Sequence, residues 1–295
     1  MAFASDHVAC AAVRRDADDR PALVFSEYQS AADEVQRQKS LFAMLRQYRR
    51  QRLRCHGILP IAGYQTQQID IANMSAEEGR QAAYWQLADR LDYPVDEAII
   101  DIYRITPFGE GKRPYHYAVA APCSRLRPYV NDVKAAGFKL ASLDLPEFAL
   151  RNIAELFVED VRGVAVLLML EQTGLLVVAR DGNLYLSRQL NIGMTQLLDS
   201  SPEERAVRFD SIVLDIQRSF DYCESTLHLP PVSRLLVAAT VKELPSLIDY
   251  LDRLLVVRAE PLNLAEVMDV PAEIDPLQLH QRLLAIGGAL RQEED

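Results

Sequence analysis

Seven consecutive apolar residues at 164–170 constrain this chain more than any other feature. An unbroken run of that kind reads as a strand buried on both faces of a sheet. It is far too short to cross a bilayer. Just beyond it, residues 175–180 and 183–189 flank Asp181-Gly182, a hairpin signal because both turn residues accept positive φ. A strand covered on both faces needs helices to cover it, and the chain alternates strand-like with helix-like segments throughout, which predicts an α/β fold.

Before that run, residues 8–13 and 21–27 read as a first hairpin, followed by a helix over about 31–51, a strand at about 57–59 and a half-polar segment at 64–71. Ser75 stands three residues before Glu78, the pattern of a capping box, and the helix it starts carries Ala83, Tyr84, Leu87, Ala88 and Leu91 on one face. Pro94 ends it. Strands at 99–105 and 115–121 enclose a loop of glycine, proline and charge. A helix bearing Leu126, Tyr129, Val130 and Val133 stops at Gly137. A strand at 140–145 and a helix at 146–157 complete this half.

Past the 164–189 strands, a long helix begins at Ser201-Pro202, where proline in the first turn costs no hydrogen bond. Its stripe is Phe209, Ile212, Val213, Ile216, Phe220, Cys223 and Leu227. A strand at 235–238, a helix at 244–251, a strand at 254–257 and a closing helix over 276–291 follow. The two halves divide near 158–163, and each is compatible with a ribonuclease-H-like order of elements.

The chemistry-bearing motifs are absent: there is no GxxxxGK[ST], GxGxxG, GxSxG or HExxH. Phe108-Gly109-Glu110-Gly111-Lys112 is glycine-rich, but it joins two strands and opens no helix, and Glu110 repels phosphate; it reads as a connecting turn. The five histidines are scattered, and the four cysteines have no metal-ligand spacing, so reduced buried thiols are expected. A net charge of −10 argues against a nucleic-acid partner. The opening residues carry Asp6 and His7 and no basic start, so a cytoplasmic protein is expected.

Two features remain as candidate partner surfaces. Arg46, Arg49, Arg50, Arg52 and Arg54 fall within nine residues with no acid between them. They suit anionic headgroups or an acidic partner, or else a solvated helix end whose dipole they complement. Trp85, the one tryptophan, points away from the apolar stripe of its helix, toward either a second packing surface or a partner.

Several stretches resemble the PilM-like family of type IV pilus assembly proteins, its MSHA-pilus branch above all. They are Ile58-Leu59-Pro60 with Gln65-Thr66-Gln67-Gln68-Ile69; Glu78-Gly79-Arg80-Gln81-Ala82-Ala83-Tyr84-Trp85; Leu91-Asp92-Tyr93-Pro94; Leu145-Pro146-Glu147-Phe148-Ala149-Leu150-Arg151-Asn152; Gln217-Arg218-Ser219-Phe220-Asp221-Tyr222; and Ala285-Ile286-Gly287-Gly288-Ala289-Leu290-Arg291. They occur in the family's order and span nearly the whole chain. The resemblance implies a two-lobed actin-like fold, with lobes at 1–160 and 161–295 and a small α+β insertion at about 75–139. It further implies ATP between the lobes, a PilN-like (in this branch MshJ-like) inner-membrane protein whose tail docks on the first lobe, and recruitment to the inner membrane among other pilus assembly proteins.

The family's nucleotide motifs are degenerate here. Leu168 and Leu170 stand where an Asp-x-Gly is expected, Gly174 where a threonine belongs, and Ala238-Ala239 where the adenosine-side glycines belong. Residues 1–13 contain no Asp-x-Gly. Losing the carboxylates removes the groups that hold Mg²⁺ and its water, and leucine in place of glycine blocks close backbone approach. The expectation is a pseudo-ATPase scaffold with no cofactor. The alternatives are a working ATP-binding protein with a rebuilt site, using Asp6, Glu171 or Asp181, and a type II secretion component of the GspL kind.

Overall fold

The computed structural model describes residues 1–4, 6–15, 20–48, 53–71, 74–239 and 245–292. By contacts the chain divides into two units, Met1–Cys10 with Tyr28–Pro146, and Ala11–Glu27 with Glu147–Asp295. The sequence reading puts the division at about 160.

The chain opens with β1 (Ala2–Phe3), β2 (His7–Arg15) and β3 (Pro21–Ser30), with Ala2 opposite Ala9 in the antiparallel β1–β2 pair. Helix α1 (Glu34–Leu45) is started by Asp33, whose carboxylate accepts from Gln36 N. It ends well before 51, and Arg46 already lies in a 3₁₀ turn. Strand β4 (Cys55–Ile58) lies parallel to β1, with Ile58 opposite Ala2.

Next come β5 (Gln65–Ile69), α2 (Ala76–Ala88), β6 (Ala98–Ile105) and β7 (Tyr115–Pro122), which make a three-stranded sheet in the order β5-β7-β6. Ile69, Ala83, Leu87, Ala118 and Ala120 form the small core where α2 covers that sheet. The capping box at Ser75 is present, with Ser75 and Glu78 bonding each other's backbone amides. The loop from β6 to β7 is a connecting turn, with Gly109 and Gly111 both at positive φ.

Helix α3 (Cys123–Ala135) leads to β8 (Leu140–Asp144), which runs parallel to β4. The small body therefore differs from the 75–139 expected. It takes in β5, whose Gln67 pairs with Ala118, and gives up α3, which packs on α1. The polar sequence of β5 hid its membership, because an edge strand buries only half of its side chains.

The second unit holds α4 (Pro146–Glu155), β9 (Val164–Met169), β10 (Gly174–Arg180), β11 (Asn183–Leu190), α5 (Met194–Leu198), α6 (Pro202–Ser225), β12 (Arg234–Ala239), α7 (Pro245–Leu254), β13 (Arg258–Pro261), α8 (Pro276–Gln281) and α9 (Leu283–Ala289). Every residue of β9 is buried, and the strand is the middle of a sheet ordered β11-β10-β9-β12-β13. The other five-stranded sheet reads β3-β2-β1-β4-β8, so both have the same plan: three successive strands, then two more joined in parallel. Asp181 and Gly182 turn β10 into β11 with φ of 48° and 69°.

Two expected elements differ. Leu254 ends α7, residues 255–257 form a bend in which Leu255 is buried and Val256 fully exposed, and the edge strand is β13, four residues further on. The closing helix is broken at Arg282, whose backbone leaves the helical region while its Nη1 donates to Ser26 O at 3.0 Å. Cys10, Cys55 and Cys223 are buried and Cys123 is half-buried. Burial pushes the Cys223 thiol up to about 12. Among the described residues no helix is long and apolar enough to cross a membrane.

Candidate functional site

The five positions that the sequence reading marks as degenerate come together at one end of the second unit's sheet. Leu168 lies between Ala238 on β12 and Leu175 on β10, and Met169 lies between Ala239 and Gly174. Leu170 opens the turn that joins β9 to β10. Leu168 is 1% exposed and Ala238 fully buried, so both side chains belong to the core. A carboxylate at 168 would have neither water nor a partner there.

The turn after β9 is closed on itself. Leu170 N donates to Thr173 O at 2.9 Å, and the Thr173 hydroxyl donates to Leu190 O at 2.6 Å. The first amides of α5 point at this turn, but Met194 N donates to Leu170 O and Thr195 N to Glu171 O, at 2.8 and 2.9 Å. Gly193 makes that approach possible. A Cβ on it would stand 2.2 Å from Gln172 C and 2.3 Å from Thr173 N. Gly174 is also packed: a Cβ there would meet Met169 Sδ at 3.1 Å and Leu190 Cβ at 3.3 Å, so a threonine would displace its neighbours.

Beside Ala239 the space is taken by His280 of α8. Its Nδ1 lies 3.4 Å from Ala239 N and 3.0 Å from Ala239 O, and its Nε2 lies 3.0 Å from Leu262 O. Gly193 and His280 were not picked out in the sequence. An Ile-Gly before a short polar-apolar segment was the only signal for the first, and nothing local marks the second.

The acids that could rebuild a metal site are dispersed. Glu171 is exposed on the turn, whereas Asp181 sits at the far end of β10, roughly 23 Å away at about 3.3 Å per strand residue, and pairs with Arg180 at 3.0 Å. In the first unit, the Asp6 carboxylate lies 2.8 Å from His7 Nδ1.

The partner-surface residues fall on the first unit. Trp85 is 72% exposed on α2, with its ring edge-on to Tyr84 at 5.3 Å. The Tyr84 hydroxyl donates to Asp96, and that bond raises its pKa. Arg46 is exposed, while Arg49, Arg50 and Arg52 lie outside the described residues. Two grooves open on this unit. One, of about 530 Å³, runs between Glu34, Glu97 and the start of α3 at Cys123 and Arg127. The other, of about 470 Å³, lies between the first turns of α2 and strand β6.

No family model matches the chain, and no curated protein matches it. Among solved structures, a chain of a PilM–PilN type IV pilus biogenesis complex matches with a TM-score of 0.73 at 18% identity, covering 98% of this chain and 96% of that one. The cytoplasmic domain of EpsL, an inner-membrane component of the type II secretion system of Vibrio cholerae, matches at 0.46 and 13% identity over 94% of both chains. A Bacteroides thetaiotaomicron protein of actin-like ATPase fold and unknown function matches at 0.47 and 8% identity, covering 96% of this chain and 93% of that one. At these identities the likeness shows the fold, which is α/β and actin-like.

Proposed function

We propose that this chain is a non-catalytic scaffold of type IV pilus assembly, of the MSHA branch, which holds the cytoplasmic tail of a PilN-like (MshJ-like) inner-membrane protein on its first unit. In this reading it works on the cytoplasmic face of the inner membrane. The observation that carries it is the likeness to a chain of a PilM–PilN type IV pilus biogenesis complex over 98% of this chain, joined to a sheet end whose Leu168 and Ala238 side chains lie in the core.

The residues present do not fit Mg-ATP. The strand that should offer an acid offers Leu168 to the core, and the amides of Leu170, Met194 and Thr195 already have backbone acceptors. Glu171 is a single exposed carboxylate on the turn, with the buried Leu168 and Ala238 rather than a second acid beside it. At the adenosine side Ala238-Ala239 stand in place of a glycine pair, and His280 packs against Ala239. Calorimetric titration of the folded chain with Mg-ATP tests this. We expect no saturable heat up to about 1 mM, and a Kd near 1 μM, worth about 8 kcal/mol, would restore the ATP-binding alternative.

A further inference from the structure

We propose that the groove between α2 and β6 binds an acidic peptide segment carrying an apolar side chain, at a site separate from the tail contact above. Its walls come from three places in the first unit. Ile71 and Met74 lie ahead of α2, and Ile102 lies on β6; together they give it an apolar floor. Arg80 projects from α2, Arg104 from β6 and Arg113 from the loop before β7, so three guanidiniums meet one aspartate, Asp101. On a chain of net charge −10 that is a local reversal of sign.

The register explains the clustering. Ile100 and Ile102 face the small core under α2, and Arg104, two residues on, continues the same face of β6 past the packed part of the helix. Gly79 keeps the helix wall low: a Cβ there would press on Ile71 Cδ1 at 3.2 Å. Arg80 pairs with Glu77 at 3.0 Å in an exposed i,i+3 contact, which is worth little in water. Arg104 and Arg113 are exposed and have no acidic partner among the described residues.

The occupant follows from that chemistry. Guanidinium forks hold carboxylates in pairs of hydrogen bonds, and a concave apolar floor accepts a side chain, which a flat bilayer surface cannot deliver. Adding a strand to the free edge of β6 is disfavoured, because Asp101 Oδ1 already takes the outward Ile102 N–H at 2.8 Å. Recognition therefore runs through side chains: acids on the three arginines and one aliphatic group between Ile71 and Ile102.

The test uses the full chain and a short fluorescent peptide alternating Glu and Leu. Its controls are the matching Gln/Leu peptide and phosphatidylglycerol vesicles. We expect the Glu/Leu peptide to bind, to weaken as salt rises, and to move the methyl resonances of Ile71, Met74 and Ile102. The pair Arg104→Glu/Arg113→Glu should weaken it at least about tenfold, and Arg104→Gln/Arg113→Gln by less, since only charge and forks are lost. Reversing Arg218 and Arg258, exposed in the second unit, should leave it unchanged. The proposal is overturned if the Glu/Leu peptide does not bind or binds no better than Gln/Leu. It is also overturned if both groove pairs bind as the parent does, or if vesicles bind where the peptide does not.

Discussion

Replacing Asp132 with alanine lowers the stability of the first unit by about 3–5 kcal/mol, the usual cost of stranding one partner of a buried ion pair. Asp132 is 0% exposed on α3, where its Oδ2 accepts from Arg37 Nε at 2.6 Å and its Oδ1 from Gln38 Nε2 at 2.9 Å. Arg37 comes from α1 and lies over the Tyr129 ring at 5.2 Å, and Tyr129 stacks on Phe3 of β1 at 4.7 Å. The pair therefore ties two helices and the first strand together. Without the carboxylate, the guanidinium keeps its burial and loses its partner.

The effect should appear as a fall in the urea midpoint followed by circular dichroism. The double variant Arg37→Met/Asp132→Leu should recover most of the loss, because well-packed apolar groups replace such a pair at little or no cost. A loss below about 1 kcal/mol in Asp132→Ala would mean that the pair is solvated in a way its burial does not reveal.

Gly287→Ala destabilises the second unit by about 1–2 kcal/mol, against the general trend for a helical glycine. Alanine in a helix interior gains close to 1 kcal/mol in propensity. Here the added methyl would stand 2.2 Å from Ala149 O and 2.7 Å from Ala149 C, both backbone atoms of α4 that cannot swing aside. Asn152 locks the same contact, its Nδ2 donating to Gly287 O at 2.9 Å. Forcing one carbon into a packed helix crossing costs about 1–3 kcal/mol and sometimes more, so the clash outweighs the propensity. A thermal midpoint at or above that of the parent would show that α4 and α9 separate easily.

That contact also shows how far the sequence could be read. The stretches around Ala149 and Gly287 were each legible as motifs, but nothing in either says that they meet, since the reason is a missing side chain in one opposite a carbonyl in the other. The central strand, the Asp181-Gly182 turn, the Ser75 capping box and the helix start at Ser201-Pro202 were legible because their causes are local. Strand β13 was misplaced because the apolar residues 254–257 are the end of α7 and the bend after it, and local hydrophobicity cannot tell a helix end with its bend from a strand. The sheet end was singled out in the sequence through Leu168, Leu170 and Gly174. Its closure by Gly193 and its blockage by His280 depend on residues that meet only in the fold.

The central claim is that tail binding has been kept while nucleotide has become irrelevant. The most direct measurement is a calorimetric titration of the chain with the cytoplasmic tail of the proposed PilN-like partner, run without nucleotide and again with Mg-ATP. The account predicts saturable binding in the nucleotide-free protein and the same affinity when Mg-ATP is added, since a ligand without a site cannot shift that equilibrium. Tail binding that requires Mg-ATP, or that changes about tenfold with it, would contradict the account and make the chain a nucleotide-gated protein.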